Sequence, residues 1–147
     1  MGLRGAVALA TLLAAHAVPA TLVKPNASMT PGALNTAVRQ ATIEGTICVR
    51  GWTRTVRPPV SYTNRLKLVQ MARYGETGSP SAYEEDHFIP LELGGAPRDP
   101  RNLWPEPIGQ ARRSDPLESR LKRKVCDGEI TLARARRAIR RFKIVHG

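Results

Sequence analysis

Three stretches of the chain carry a helical period. Between Ser61 and Tyr74, Leu66 and Val69 fall three apart and Leu68 and Ala72 four apart, which predicts a helix capped by Ser61 and stopped at Gly75. Its outer face holds Arg65, Lys67 and Arg73. Further on, Leu117, Leu121 and Val125 recur every four residues and predict one buried stripe. Asp115-Pro116-Leu117-Glu118 reads as the start of that helix, with Asp115 as N-cap, Pro116 at the first position and Glu118 as the capping-box partner; Gly128 ends it. Thr131 caps a last helix with Leu132, Ala135, Ile139 and Phe142 inward and Arg134, Arg136, Arg137, Arg140, Arg141 and Lys143 outward. Residues 31–44 hold a weaker pattern, Leu34 and Val38 four apart, that predicts one or two turns.

The remaining apolar runs are short. TICVRGWTRTVRPP, from Thr46, predicts a short strand or extended arm stopped by Pro58-Pro59, with Trp52 as a core or lid residue. Two more strands are expected over Glu85 to Leu91 and Asn102 to Trp104. Between them Gly94-Gly95, Pro97 and Pro100 build a loop, and Phe88, Ile89, Leu91, Leu93 and Leu103 form a small core beneath it. Trp104 reads as an anchor packed between this hairpin and the following helix. Thr21 to Thr30 is rich in Pro, Ser, Thr and Asn and predicts an extended or disordered tail.

Met1 to Ala20 has a different character. Arg4 precedes an apolar run from Ala6 to Ala15, and small residues stand at Ala15, Ala17 and Ala20, the pattern of a secretory signal peptide. A membrane span needs about 20 uninterrupted apolar residues. This run is shorter and is broken by His16 and Pro19. The expected organisation is a signal peptide over 1–20, an N-terminal arm over 21–45 and one domain over 46–147, in a secreted or periplasmic protein with no membrane contact after cleavage.

With aromatics at 5% and 24 Pro and Gly residues in all, that domain should be loop-rich with a modest core. Its only two cysteines, Cys48 and Cys126, would meet an oxidising environment, so they are expected to pair rather than to remain as buried thiols. Neither has a Cys or His at ligand spacing, which argues against a metal held by sulfur.

Chemistry concentrates between Tyr83 and Pro107, YEEDHFIPLELGGAPRDPRNLWPEP. Glu84, Glu85 and Asp86 run directly into His87, which puts hard oxygen ligands for a divalent cation beside an imidazole that takes a proton near neutral pH. The pairing suggests metal-assisted hydrolysis. A regular strand would send Asp86 and His87 to opposite faces, so both can serve one site only where the strand begins, twists or bulges.

Asp-His, an apolar strand with Pro, a Gly-Gly loop and Asn-Leu-Trp at this spacing resemble the first two thirds of the HNH motif of the His-Me finger (ββα-metal) nucleases, most of all that of a group of small secreted bacterial proteins with an HNH-like core. The resemblance implies an α+β fold: a small HNH-like finger flanked by helices. It implies that His87 is the general base, that Asp86 ligates a divalent ion (Mg²⁺ or Mn²⁺), and that Asn102 ties the loop to the strand and orients the histidine. The final histidine of the motif, a ligand on the helix after the asparagine, has no counterpart between His87 and His146. Asp115 is the first candidate for that place, ahead of Glu118, with Glu106 just before the helix.

Losing the leader removes Arg4 and lowers the net charge from +11 to +10 against 12 acidic residues. So basic a chain is expected to meet polyphosphate, with Arg134, Arg137, Arg140 and Arg141 as the contact face and DNA favoured over RNA. Two functions follow. The first is an exported, metal-dependent HNH-like endonuclease that hydrolyses phosphodiester bonds of DNA or RNA with little sequence preference, since phosphate contacts dominate. The second is a secreted cationic protein that binds nucleic acid or another anionic polymer on a non-catalytic HNH-like scaffold.

Overall fold

The computed structural model describes residues 22–147; the expected signal peptide lies outside them. Among the described residues the fold has four α-helices and one hairpin, joined by short 3-10 segments: α1 (Trp52–Val56), α2 (Val60–Tyr74), β1 (Tyr83–His87), β2 (Leu103–Pro107), α3 (Ile108–Cys126) and α4 (Leu132–His146). Helices and a two-stranded antiparallel sheet therefore share one chain, as the α+β expectation requires. In the hairpin His87 pairs with Leu103, Asp86 with Trp104 and Glu84 with Glu106. Directly paired residues share a face, so Glu84, Asp86 and Glu106 stand together on one side.

The main core gathers Val38, Ile43 and Ile47 from the N-terminal segment, Ile89 and Leu93 from the loop, Leu121 and Val125 from α3, and Leu132, Ala135 and Ile139 from α4. Val23, Phe88 and Trp104 form a second, smaller cluster. Cys48 and Cys126 are joined by a disulfide, with Cα atoms 5.6 Å apart across 78 residues, and it fastens the N-terminal segment to the end of α3. Among the described residues no helix is long and apolar enough to cross a membrane.

Several local expectations are corrected. Residues 46–56 form turns and the short helix α1 instead of a strand: their amides close locally, Cys48 N donating to Ile43 O and Val49 N to Thr46 O. Helix α2 begins at Val60 behind Pro59, so Ser61 lies inside it; Gln70 and Met71 are buried, while Leu68 and Val69 are exposed. The first hairpin strand is Tyr83–His87 and the second Leu103–Pro107, because Leu91–Leu93 and Pro100–Asn102 close as single 3-10 turns. In the N-terminal arm the weak helical pattern yields one short 3-10 helix, Gln40–Gly45, and the described part of the tail, residues 22–30, is tied to the fold rather than loose. Gln110 holds Val23 there by both backbone groups, accepting from its amide at 3.0 Å and donating to its carbonyl at 2.7 Å.

Helix α3 starts seven residues before Asp115 and runs through Pro116, so neither Asp115 nor Glu118 caps it. A proline inside a helix removes one backbone hydrogen bond and kinks or breaks the helix unless packing holds it. Here the hairpin and α4 pack against α3, and Glu118 is left free for another partner. In α4 the cap is as expected, Thr131 Oγ1 accepting from Arg134 N, and Leu132, Ala135 and Ile139 are buried. The last inward position belongs to Lys143, wholly buried, while Phe142 sits half-buried at its side.

Candidate functional site: a histidine cleft closed on a buried lysine

Asp86 and His87 do reach one place. The strand ends at His87, Phe88 N closes onto Asn102 O at 2.8 Å, and the backbone turns away, which frees two successive side chains from strict alternation. Both line a cleft of about 230 Å³ with Glu84, Glu92, Asp115, Glu118 and Arg57. His87 Nε2 lies 3.0 Å from the Pro97 carbonyl. A carbonyl only accepts, so Nε2 carries the proton in the neutral ring and Nδ1 keeps the lone pair. Burial lowers the His87 pKa against the opposing pull of Asp86, which favours the neutral ring at pH 7.

Asn102 fixes that geometry. Its Oδ1 accepts from Ile89 N at 2.9 Å, and its Nδ2 donates to Ile89 O at 3.0 Å and to Ala96 O at 3.1 Å. The clamp needs Gly95: a Cβ there would lie 1.7 Å from Ile89 O and 2.5 Å from Asn102 Nδ2. The Gly-Gly loop thus lets one amide side chain tie the segment after His87 to the turn before β2.

Beneath the cleft stands Lys143. Its Nζ donates to Asp86 Oδ2 at 2.5 Å and to His87 O at 2.9 Å, and pairs ionically with Glu118 Oε1 at 2.9 Å, with Glu106 Oε2 at 3.7 Å. Burial opposes both charges, but the mutual attraction wins: the Asp86 carboxyl is held well below its usual range and the Lys143 ammonium well above its own. Glu118 and Glu106 are not so favoured. Burial, only partly offset by Lys143, pushes Glu118 up to about 7; burial and the neighbouring Asp86 push Glu106 up to about 10. On the α2 side of the hairpin, Glu85 is raised to about 8 by burial and then by Asp86.

The structure thus brings together Asp86, His87 and Asn102, and joins Glu118 to Asp86 through Lys143. Asp115 stays exposed at the cleft rim. Of the expected contact arginines, Arg134, Arg137 and Arg141 are exposed. Arg140 is half-buried, donating to Pro31 O and stacking over Phe88 at 5.0 Å; Arg136, on the same helix, donates to Leu93 O and Val38 O. Lys143, expected to face outward, is the residue whose role the sequence reading missed. Its signal was the spacing of Leu132, Ala135, Ile139 and Lys143 on one helical stripe.

A divalent ion does not fit this donor set as it stands. Among the described residues no three His, Cys, Asp or Glu side chains converge to hold one, and the oxygens nearest to doing so are already bonded to an ammonium. Compared with protein-family models, with curated proteins and with solved structures, the chain matches none.

Proposed function

We propose that this chain is an exported cationic protein that binds DNA through the exposed arginines of α3 and α4, on an HNH-like scaffold whose histidine site does not turn over. The observation that carries this reading is the partition of charge. Five of the 12 acidic residues line the cleft, and Glu85 and Glu106 are buried behind it. The outer faces of α3 and α4 are rich in arginine: Arg112, Arg113, Arg120 and Arg123 on α3, and Arg134, Arg137 and Arg141 on α4, are all exposed. Such a surface attracts a polyanion at long range and releases counterions on contact. The cleft does the reverse, since a phosphodiester entering it meets five carboxylates and a single arginine, Arg57. Hydrolysis needs positive charge on the non-bridging oxygens. The one cation at the centre, Lys143, is wholly buried, donates to Asp86 and the His87 carbonyl, and pairs with Glu118.

A second reading, the HNH-like endonuclease, is favoured by His87, whose Nε2 contact with the Pro97 carbonyl leaves Nδ1 as a base beside the cleft. One experiment separates the two. The protein is incubated with plasmid in Mg²⁺ or Mn²⁺, with and without chelator. A salt-sensitive gel shift with intact plasmid is expected. Chelator-sensitive nicking that disappears in His87→Ala would establish the nuclease instead.

A further inference from the structure

We propose that Lys143 is a built-in counter-cation: its ammonium occupies a cage of oxygens of the kind that holds a hard divalent ion, and its removal turns that cage into a divalent-cation site. The cage consists of Asp86 Oδ2 at 2.5 Å, Glu118 Oε1 at 2.9 Å, the His87 carbonyl at 2.9 Å and Glu106 Oε2 at 3.7 Å. The Asp86 and Glu118 carboxyls and the His87 carbonyl stand within 2.9 Å of one point, with Glu106 farther out at 3.7 Å; they are hard donors of the kind Ca²⁺ or Mn²⁺ takes, and would have to draw in around such an ion once the ammonium is gone. The ammonium donates to two of these four oxygens, Asp86 Oδ2 and the His87 carbonyl, and pairs with the Glu118 carboxyl.

Glu106 is the independent sign that the cage is larger than its occupant. It is fully buried, points at Nζ from beyond hydrogen-bond reach, and in its charged form finds no donor for either carboxyl oxygen. A fully buried carboxyl without a partner is costly. A cation with more coordination sites than an ammonium could use it. The lysine reaches the cage from α4, an element outside the β1–β2–α3 unit that supplies every oxygen, so truncating it leaves the donor set intact.

The inference concerns ion binding and stands whether or not the protein binds or cuts DNA. Its test compares the parent chain with Lys143→Ala by thermal unfolding in chelator and across micromolar to millimolar Mn²⁺ or Ca²⁺, with Mn²⁺ binding followed by electron paramagnetic resonance. The parent should bind no Mn²⁺ at the cage and hold one Tm throughout. Lys143→Ala should melt lower in chelator and bind Mn²⁺, with Tm rising by roughly 5 °C per tenfold of ion above the dissociation constant. The same Mn²⁺ response should vanish in Lys143→Ala combined with Asp86→Asn. Should Lys143→Ala be unfolded in chelator, recovery of the fold by Mn²⁺ supports the proposal, and no recovery by either ion overturns it. A Lys143→Ala protein that folds but ignores both ions also overturns it, as does a parent chain whose Tm rises with Mn²⁺ in an Asp86-dependent way.

Discussion

The side chain of Asn102 holds both backbone groups of Ile89, accepting from its amide at 2.9 Å and donating to its carbonyl at 3.0 Å, with a further bond to Ala96 O. All of these groups are buried, so truncation strands donors and acceptors that water cannot reach. Asn102→Ala should therefore destabilise the chain by about 2–4 kcal/mol. Urea unfolding followed by circular dichroism checks it. An unchanged midpoint would mean that the loop keeps its path without the clamp.

The disulfide makes a separate prediction. Reduction should raise the intact mass by 2 Da, from one S–S bond becoming two thiols. Replacing both cysteines by serine should cost about 2–5 kcal/mol, because a link across 78 residues restrains the unfolded chain strongly. Thiol titration of the native protein gives the direct check, with no reactive thiol expected.

The charge of Glu85 should be visible in the pH dependence of stability. Its folded pKa, about 8, lies above the ordinary 4.5, so between these values the folded chain holds a proton that the unfolded chain has released. Raising the pH across that window favours unfolding, by up to about 1.4 kcal/mol per pH unit for this group. Glu85→Gln should match the parent near pH 4.5 and become progressively more stable than it toward pH 8. Unfolding curves for both proteins at several pH values test the sign; a constant difference between them would refute it.

The arginines of α4 should divide into two classes. Neutralising Arg134, Arg137 and Arg141 together should lower the slope of log K against log salt for DNA by roughly 2–3, with little change in Tm. Arg136→Gln should instead destabilise the fold, by about 1–3 kcal/mol, since it strands the carbonyls of Leu93 and Val38. Fluorescence anisotropy over a salt series, set beside melting curves, separates the two effects.

What the sequence determined by itself is everything set by neighbours along the chain. The ends of α2 and α4 followed from Gly75 and Thr131, because a left-handed glycine or a capping hydroxyl acts within a few residues. The buried stripe of α3 followed from Leu121 and Val125, the disulfide from the absence of any other cysteine, and the site from Asp-His and Gly-Gly, whose residue types imply an oxygen donor beside an imidazole and a tight loop, while the clamp role of Asn102 came from the resemblance to the HNH motif. Packing decided the rest. Asp115-Pro116-Leu117-Glu118 has the local form of a helix start, yet contacts with the hairpin and α4 carry α3 through it, and Glu118 faces Lys143 instead of an amide. Lys143 has the local form of an outward charge. It is buried because Asp86, Glu106 and Glu118, remote from it in sequence, meet at the point where its helix passes, and a charge leaves water only where partners of opposite sign and hydrogen-bonding geometry wait for it. No residue beside Lys143 in the chain records that meeting, so only the tertiary structure could place a cation at the centre of the acidic cluster.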